Sequence, residues 1–152
     1  MERDTPMITG INHITLSVSK LERSLHFYVD ILKLDEVVRW DRGAYLLAGD
    51  IWVALTLDEK VREGQLPEYT HIAFTVASED FDAMSRMITN SGATIWQENI
   101  SEGPSLYFLD PDGHKLEIHA SDLEARMESI KRLGDLRFVM KMNPMAEKFP
   151  SS

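Results

Sequence analysis

The chain has 152 residues, 43% of them hydrophobic, no cysteine, and a formal net charge of -9. That length holds one ordinary domain or two small halves around a shared core; the missing cysteines exclude disulfides, thiolate nucleophiles and sulfur-ligated metals. An acidic surface without basic clusters argues against a nucleic-acid partner, and no apolar run is long enough to span a membrane or, in the opening MERDTPM, to serve as a signal peptide. A soluble, cytoplasmic domain is expected.

Residues 11–18 alternate, with Asn12, Ile14, Leu16 and Val18 on one face and His13, Thr15 and Ser17 on the other, as in a half-buried strand. Ser19-Lys20-Leu21-Glu22 has capping-box spacing, and Leu21, Leu25, Tyr28 and Leu32 follow at helical spacing, so a helix is predicted over 20–32. Short strands are expected near 36–40, 45–47 and 51–57, separated by Asp41-Arg42-Gly43 and Gly49-Asp50. The charged stretch 58–68, with Gly64 and Pro67, reads as a linker.

The pattern then restarts, with His71, Ile72 and Val76 repeating His13, Ile14 and Val18 in a strand over 69–76. A second helix is expected over 79–90, with Phe81, Met84 and Ile88 inward and Gly92 closing it. Strands follow at 94–98, 105–109 and 114–119, the last two joined by the strong turn signal Asp110-Pro111-Asp112-Gly113. A third helix over 122–133 opens on a second capping-box spacing, Ser121-Asp122-Leu123-Glu124. Leu123, Met127 and Ile130 are its apolar stripe, and Gly134 stops it. The expected fold is α+β. Two βαβββ modules, about 7–58 and 69–120, and the C-terminal helix lie within one domain over 7–138, and 139–152 is expected to be poorly ordered.

Glu117 is the residue that needs a reason. It shares an alternating face with Lys115 and His119, and a mid-strand carboxylate suits an apolar core only when something pairs with it. His13 and His71 hold the same repeat position. Two imidazoles and one carboxylate form the facial set used for Mn, Fe(II), Co or Ni, and zinc could also take it. His119 is a rival ligand on the Glu117 face, whereas His26 and His114 read as surface or turn residues. In the first repeat the strand matching that of Glu117 offers only Trp52, Val53, Ala54 and Leu55 at equivalent depth. A fourth protein ligand is therefore absent, which suits a Lewis-acid site open to substrate. The loop 99–105, rich in short oxygen-bearing side chains, reads as a solvated connection or as a wrap for a hard cation. Arg126, at the apolar edge of the last helix, is a candidate anion clamp. Trp40, Tyr45, Trp52, Tyr69, Trp96 and Tyr107 are core residues by default, and any beside the site would supply an apolar wall and phenolic donors.

The paired histidine strands, the doubled βαβββ pattern and the glutamate after DPDGH resemble the vicinal-oxygen-chelate superfamily of glyoxalase I and the extradiol dioxygenases. Within it, GINHITLSV, RWDRGAYL, YTHIAF, NISEGPSLYFLDPDGHKLE and SDLEAR are similar to the fosfomycin-resistance glutathione transferases. The resemblance covers residues 7 to about 138. It implies a domain-swapped homodimer that uses Mn2+, or another divalent metal, and K+ to add glutathione to an epoxide phosphonate. His13, His71 and Glu117 would hold the divalent metal, with His71 reaching a metal bound by the partner chain's His13 and Glu117. Asn99, Ser101, Glu102, Gly103 and Ser105 would hold potassium. Thr15 would hydrogen-bond the substrate oxygen, and Tyr69, Tyr107, Ser101 and Arg126 the phosphonate. Trp52 would wall the pocket, and Tyr45 would lie near the incoming thiol. Two positions depart from the family pattern: Gln97 stands where a lysine is common, and Ile100 where an arginine can occur. Related chemistries within the resemblance are epoxide opening by another thiol or water, Fe(II) extradiol dioxygenation, and non-catalytic drug binding.

Overall fold

The computed structural model describes residues 5–133, so the expectations for Gly134 and the 139–152 tail lie outside the described residues. In chain order the elements are β1 (His13–Val18), α1 (Leu21–Leu25), β2 (Asp35–Trp40), β3 (Gly43–Ala48), β4 (Ile51–Leu57) and β5 (Ile72–Thr75). They continue with α2 (Phe81–Asn90), β6 (Ile95–Gln97), β7 (Ser105–Leu109), β8 (Lys115–His119) and α3 (Leu123–Leu133). The α+β doubling is present. One sheet runs in the order β1-β4-β3-β2 and the other repeats it as β5-β8-β7-β6. In each sheet the first strand pairs parallel with the fourth, and the remaining pairs are antiparallel. β5 is shorter than the alternation suggested, leaving Tyr69 and His71 just ahead of the ladder. No helix among the described residues is long and apolar enough to cross a membrane.

Alternation decides what each sheet buries. Leu16, Val18, Leu46, Val53 and Leu55 from the first sheet join Leu25, Phe27 and Tyr28, and with Ile88, Phe108, Leu116 and Ile118 form one core shared by both modules. Each fully buried large apolar side chain contributes about 1.5–3 kcal/mol by transfer from water. The opposite face of each sheet carries the polar residues of the strand patterns.

The first helix differs from the expected 20–32 span. Only Leu21–Leu25 is α-helical, and a π-helical turn follows over His26–Ile31. The wider turn accommodates two consecutive aromatics, Phe27 and Tyr28, in the core. Neither capping box forms. Ser19 Oγ instead donates to Asp112 Oδ1 at 2.5 Å, and Ser121 Oγ bonds Glu102. Asp122 caps α3 through Ala125 N at 2.9 Å. In both cases a carboxylate brought by the tertiary fold outcompetes the local motif, since a charged acceptor makes the stronger bond.

The DPDG turn is a seam between modules as well as a turn. Asp110 Oδ1 accepts the backbone N–H of Asp112 (2.9 Å) and of His114 (2.8 Å), while Oδ2 accepts the Tyr28 hydroxyl at 2.6 Å. Burial raises the Asp110 carboxyl above its ordinary value and the Tyr28 hydroxyl well above its own. Asp112 gathers Ser19 and Arg23. His114, expected at the surface, is buried. Its Nε2 donates to Ser17 O at 2.7 Å, which leaves Nδ1 to accept from Arg62 at 3.1 Å. The 58–68 segment is bound in as well, with Leu66 N donating to Gly113 O at 2.8 Å. Gly113 has φ +83, and a Cβ there would collide with the backbone carbonyl oxygen of Gly64, so only glycine fits.

Candidate metal and substrate site

His71 and Glu117 sit side by side because β5 and β8 are neighbours. Glu117 pairs in register with Ala73 on one side and Tyr107 on the other. His71 Nδ1 donates to Tyr69 O at 2.9 Å, so its Nε2 carries the lone pair. That Nε2 lies 3.1 Å from Glu117 Oε1. The other carboxylate oxygen, Oε2, accepts from Ser105 Oγ at 2.7 Å. Each group therefore has one atom tied and presents the other to a common point. Two lone-pair atoms facing each other at that distance need a positive charge between them, either a proton on Nε2 or a metal ion. The donor types and the satisfied outer atoms fit a divalent metal.

His13 stands apart in the first sheet, at the exposed start of β1. Its Nδ1 lies 2.7 Å from Asn12 Oδ1, and its ring stacks on Trp52 with centroids 4.3 Å apart. Among the described residues no cluster of three or more His, Asp or Glu side chains is placed to hold a metal within one chain. This corrects the division of ligands implied by the resemblance. His71 and Glu117 form a pair within one chain, and His13 is the residue that stands alone. The position in the first sheet that matches Glu117 is also fixed: Thr15 pairs with Ala54 as Ala73 pairs with Glu117, so Ala54 is the counterpart of the carboxylate.

Of the six aromatic residues expected in the core, Tyr107 is buried and the other five are exposed or half-buried, in two groups around the histidines. On the first sheet Trp40, Tyr45 and Trp52 form a row ending at His13, with centroids 4.9, 4.9 and 4.3 Å apart. On the second, Tyr69, Trp96 and Tyr107 surround His71 with centroids 5.0, 5.4 and 6.0 Å from its ring. Trp40, Tyr45 and Tyr69 are exposed and Tyr107 is buried. Trp52 Nε1 is a buried donor with no acceptor among the described residues. Thr15 lies two residues beyond His13 on the same face of β1 and is exposed.

The 99–105 loop closes on itself. Asn99 Oδ1 accepts both the N–H and the hydroxyl of Ser101 at 2.9 Å, and Asn99 Nδ2 donates to Gly103 O at 2.9 Å. Tyr107 OH reaches Ser101 Oγ at 3.4 Å, and Glu102 is tied to Ser121. Gln97 Nε2 donates to Tyr69 OH at 3.1 Å. Arg126 is half-buried on α3 and has no carboxylate partner among the described residues. Lys115 received no role from the sequence, although KLEIH sets it on the Glu117 face. Buried there, it donates to Glu68 O at 2.7 Å, lies 5.0 Å from the Trp96 ring centre, and so anchors the segment leading to His71.

A doubled βαβββ chain with an imidazole–carboxylate pair in one sheet and a lone imidazole in the other defines a class. The chain belongs to the Glyoxalase/Bleomycin resistance protein/Dioxygenase superfamily, whose family model matches residues 10–118. It is 49% identical over 127 residues to the glutathione transferase FosA of Serratia marcescens, across 82% of this chain and 90% of that protein. Identity to a metallothiol transferase FosB of Staphylococcus haemolyticus is 40% over 129 residues, across 82% and 93%. A mutant of the fosfomycin resistance protein FosX from Listeria monocytogenes, complexed with Mn(II) and 1S,2S-dihydroxypropylphosphonic acid, superposes with TM-score 0.72. Identity to it is 31%, across 82% of this chain and 99% of that one. Within the superfamily the chain groups with the FosA-type proteins.

Proposed function

We propose that this protein is a metal-dependent transferase that inactivates fosfomycin by adding glutathione to its epoxide. The single observation that carries the proposal is the pairing of His71 Nε2 with Glu117 Oε1, each with its other polar atom already satisfied. Mn(II) is the divalent metal in this reading, held by that pair together with the partner subunit's His13 in a homodimer that shares its sites. When bound, such an ion supplies Lewis-acid stabilisation of charge developing on an epoxide oxygen.

The chain's own residues do the rest. Thr15 hydrogen-bonds the epoxide oxygen from beside His13. Tyr69, Tyr107 and Ser101 offer hydroxyl donors to the phosphonate, and Arg126 offers the fork geometry that suits its oxygens. Trp52 walls the pocket and Tyr45 orients the incoming sulfur. The nucleophile comes from glutathione, since the chain has no cysteine. Its thiolate sulfur attacks an epoxide carbon, the carbon–oxygen bond breaks, and the ring oxygen leaves as an alkoxide that takes up a proton. Proximity supplies much of the acceleration. Asn99, Ser101, Glu102, Gly103 and Ser105 would hold K+, which would add positive charge to a pocket in which Gln97 brings none. A glutathione-dependent enzyme works where thiols stay reduced, hence in the cytoplasm.

A second reading, with water as the nucleophile, is supported by the dihydroxypropylphosphonic acid bound to the FosX relative. Mass spectrometry of fosfomycin incubated with the protein and Mn(II), with glutathione or with no thiol, separates the two. A glutathione adduct formed only in the thiol arm is expected, with a rate that rises on adding K+. A diol in the thiol-free arm would move the assignment to hydration. Unchanged fosfomycin in both arms would overturn both readings.

A further inference from the structure

Ser105 Oγ stands between two groups, 2.7 Å from Glu117 Oε2 and 2.5 Å from His119 Nδ1. An ionised carboxylate only accepts, so the single serine proton belongs to Glu117. Ser105 Oγ must then accept from His119, which fixes that imidazole as the form with its proton on Nδ1. The same nitrogen lies 3.4 Å from Glu117 Oε2. His119 is thereby ruled out as a ligand through Nδ1, a role that its face had left open in the sequence. The arrangement is built into the sheet, because Ser105 and His119 are register partners on β7 and β8. His119 also lies under the 99–105 loop, with its Cε1 3.6 Å from where a Cβ on Gly103 would stand.

We infer that His119 is a positioning residue. Through Ser105 it holds Glu117 Oε2, so that Oε1 alone is presented beside His71 Nε2. The inference rests on reading that pair as a metal site. Ser105 Oγ has two lone pairs, and His119 occupies one. The other is free for a cation in the loop, so one hydroxyl joins the loop to the carboxylate. A cation bound there polarises the Ser105 O–H and strengthens its bond to Glu117.

The test compares His119→Asn, whose side-chain amide keeps a donor at the place of Nδ1, with His119→Leu, which removes it. Mn(II) affinity is read by electron paramagnetic resonance with and without K+, after thermal melts show both variants folded. His119→Leu is expected to weaken Mn(II) binding by about 10- to 100-fold and to lose its response to K+, while His119→Asn stays near the wild type. Ser105→Ala should match His119→Leu, and combining the two should add nothing. Equal losses in the Asn and Leu variants, or no loss in either, overturn the inference. Nitrogen-15 NMR of the metal-free protein gives an independent reading: His119 protonated on Nδ1 supports the relay, and protonation on Nε2 alone overturns it. Failure of the wild-type protein to bind Mn(II) overturns the metal-site reading instead, and the tautomer then still decides the relay.

Discussion

Opposite Thr15 in the first sheet stands Ala54, while opposite Ala73 in the second stands Glu117. The strand order around these pairs is the same in both sheets. The first module ends in one imidazole stacked on a row of aromatics, and the second in an imidazole and a carboxylate with their outer atoms satisfied. Had both modules kept the carboxylate, two copies of each would crowd a shared metal with four side chains. On the proposed metal reading, one carboxylate would leave positions open for substrate, and the alanine would be what leaves them open.

Three substitutions sharpen or break that contrast. Ala54→Glu restores the symmetry and has the largest expected effect. Mn(II) affinity should hold while turnover collapses, and an active Ala54→Glu enzyme would mean that Ala54 does not face the metal. Tyr28→Phe acts on the seam that fixes one module against the other, leaving Asp110 Oδ2 buried without its donor at a cost of about 1–3 kcal/mol. Asp110 already has a raised carboxyl in the folded state, and the Tyr28 hydrogen bond is one of the influences opposing that rise. The native state therefore holds its proton more tightly than the unfolded chain, and the Asp110 contribution is greatest below the ordinary value of 3.8 and is lost as pH rises through the folded value. The Tyr28→Phe deficit should accordingly be large at pH 7 and shrink toward pH 4, as urea denaturation at the two pH values would measure. Ser19→Ala is the mildest, at about 0.5–1.5 kcal/mol, because Asp112 keeps Arg23 and a backbone N–H. A loss as large as that of Tyr28→Phe would show that the seam depends on Asp112 rather than Asp110.

The doubling was legible because its signals are local. Alternation in 11–18, its return after 69, and Glu117 amid KLEIH set which side chains share a face before any strand has a partner. What stayed hidden depends on contacts between distant parts of the chain. Ser19 has every feature of a cap, yet its partner is Asp112, 93 residues away. His114 sits next to a turn and looks exposed, until Ser17 and Arg62 close over it. The aromatics looked like core because size and hydrophobicity are visible in a sequence while the face beside a site is not. The ligand partition failed for a related reason. Equal repeat positions mark His13 and His71 as equivalent, but sheet neighbours decide which of them sits beside Glu117 within one chain.

Mixing His13→Ala protein with Glu117→Ala protein, after joint unfolding and refolding, tests the shared site most directly. Neither variant alone has a complete set of ligands. In a mixed dimer, the unaltered His13 of one copy meets the intact His71–Glu117 pair of the other. Mn(II) binding should therefore return on mixing and be absent from either variant by itself. A mixture that stays as metal-free as its components would contradict the account, since His13 and Glu117 would then have to serve within the same chain.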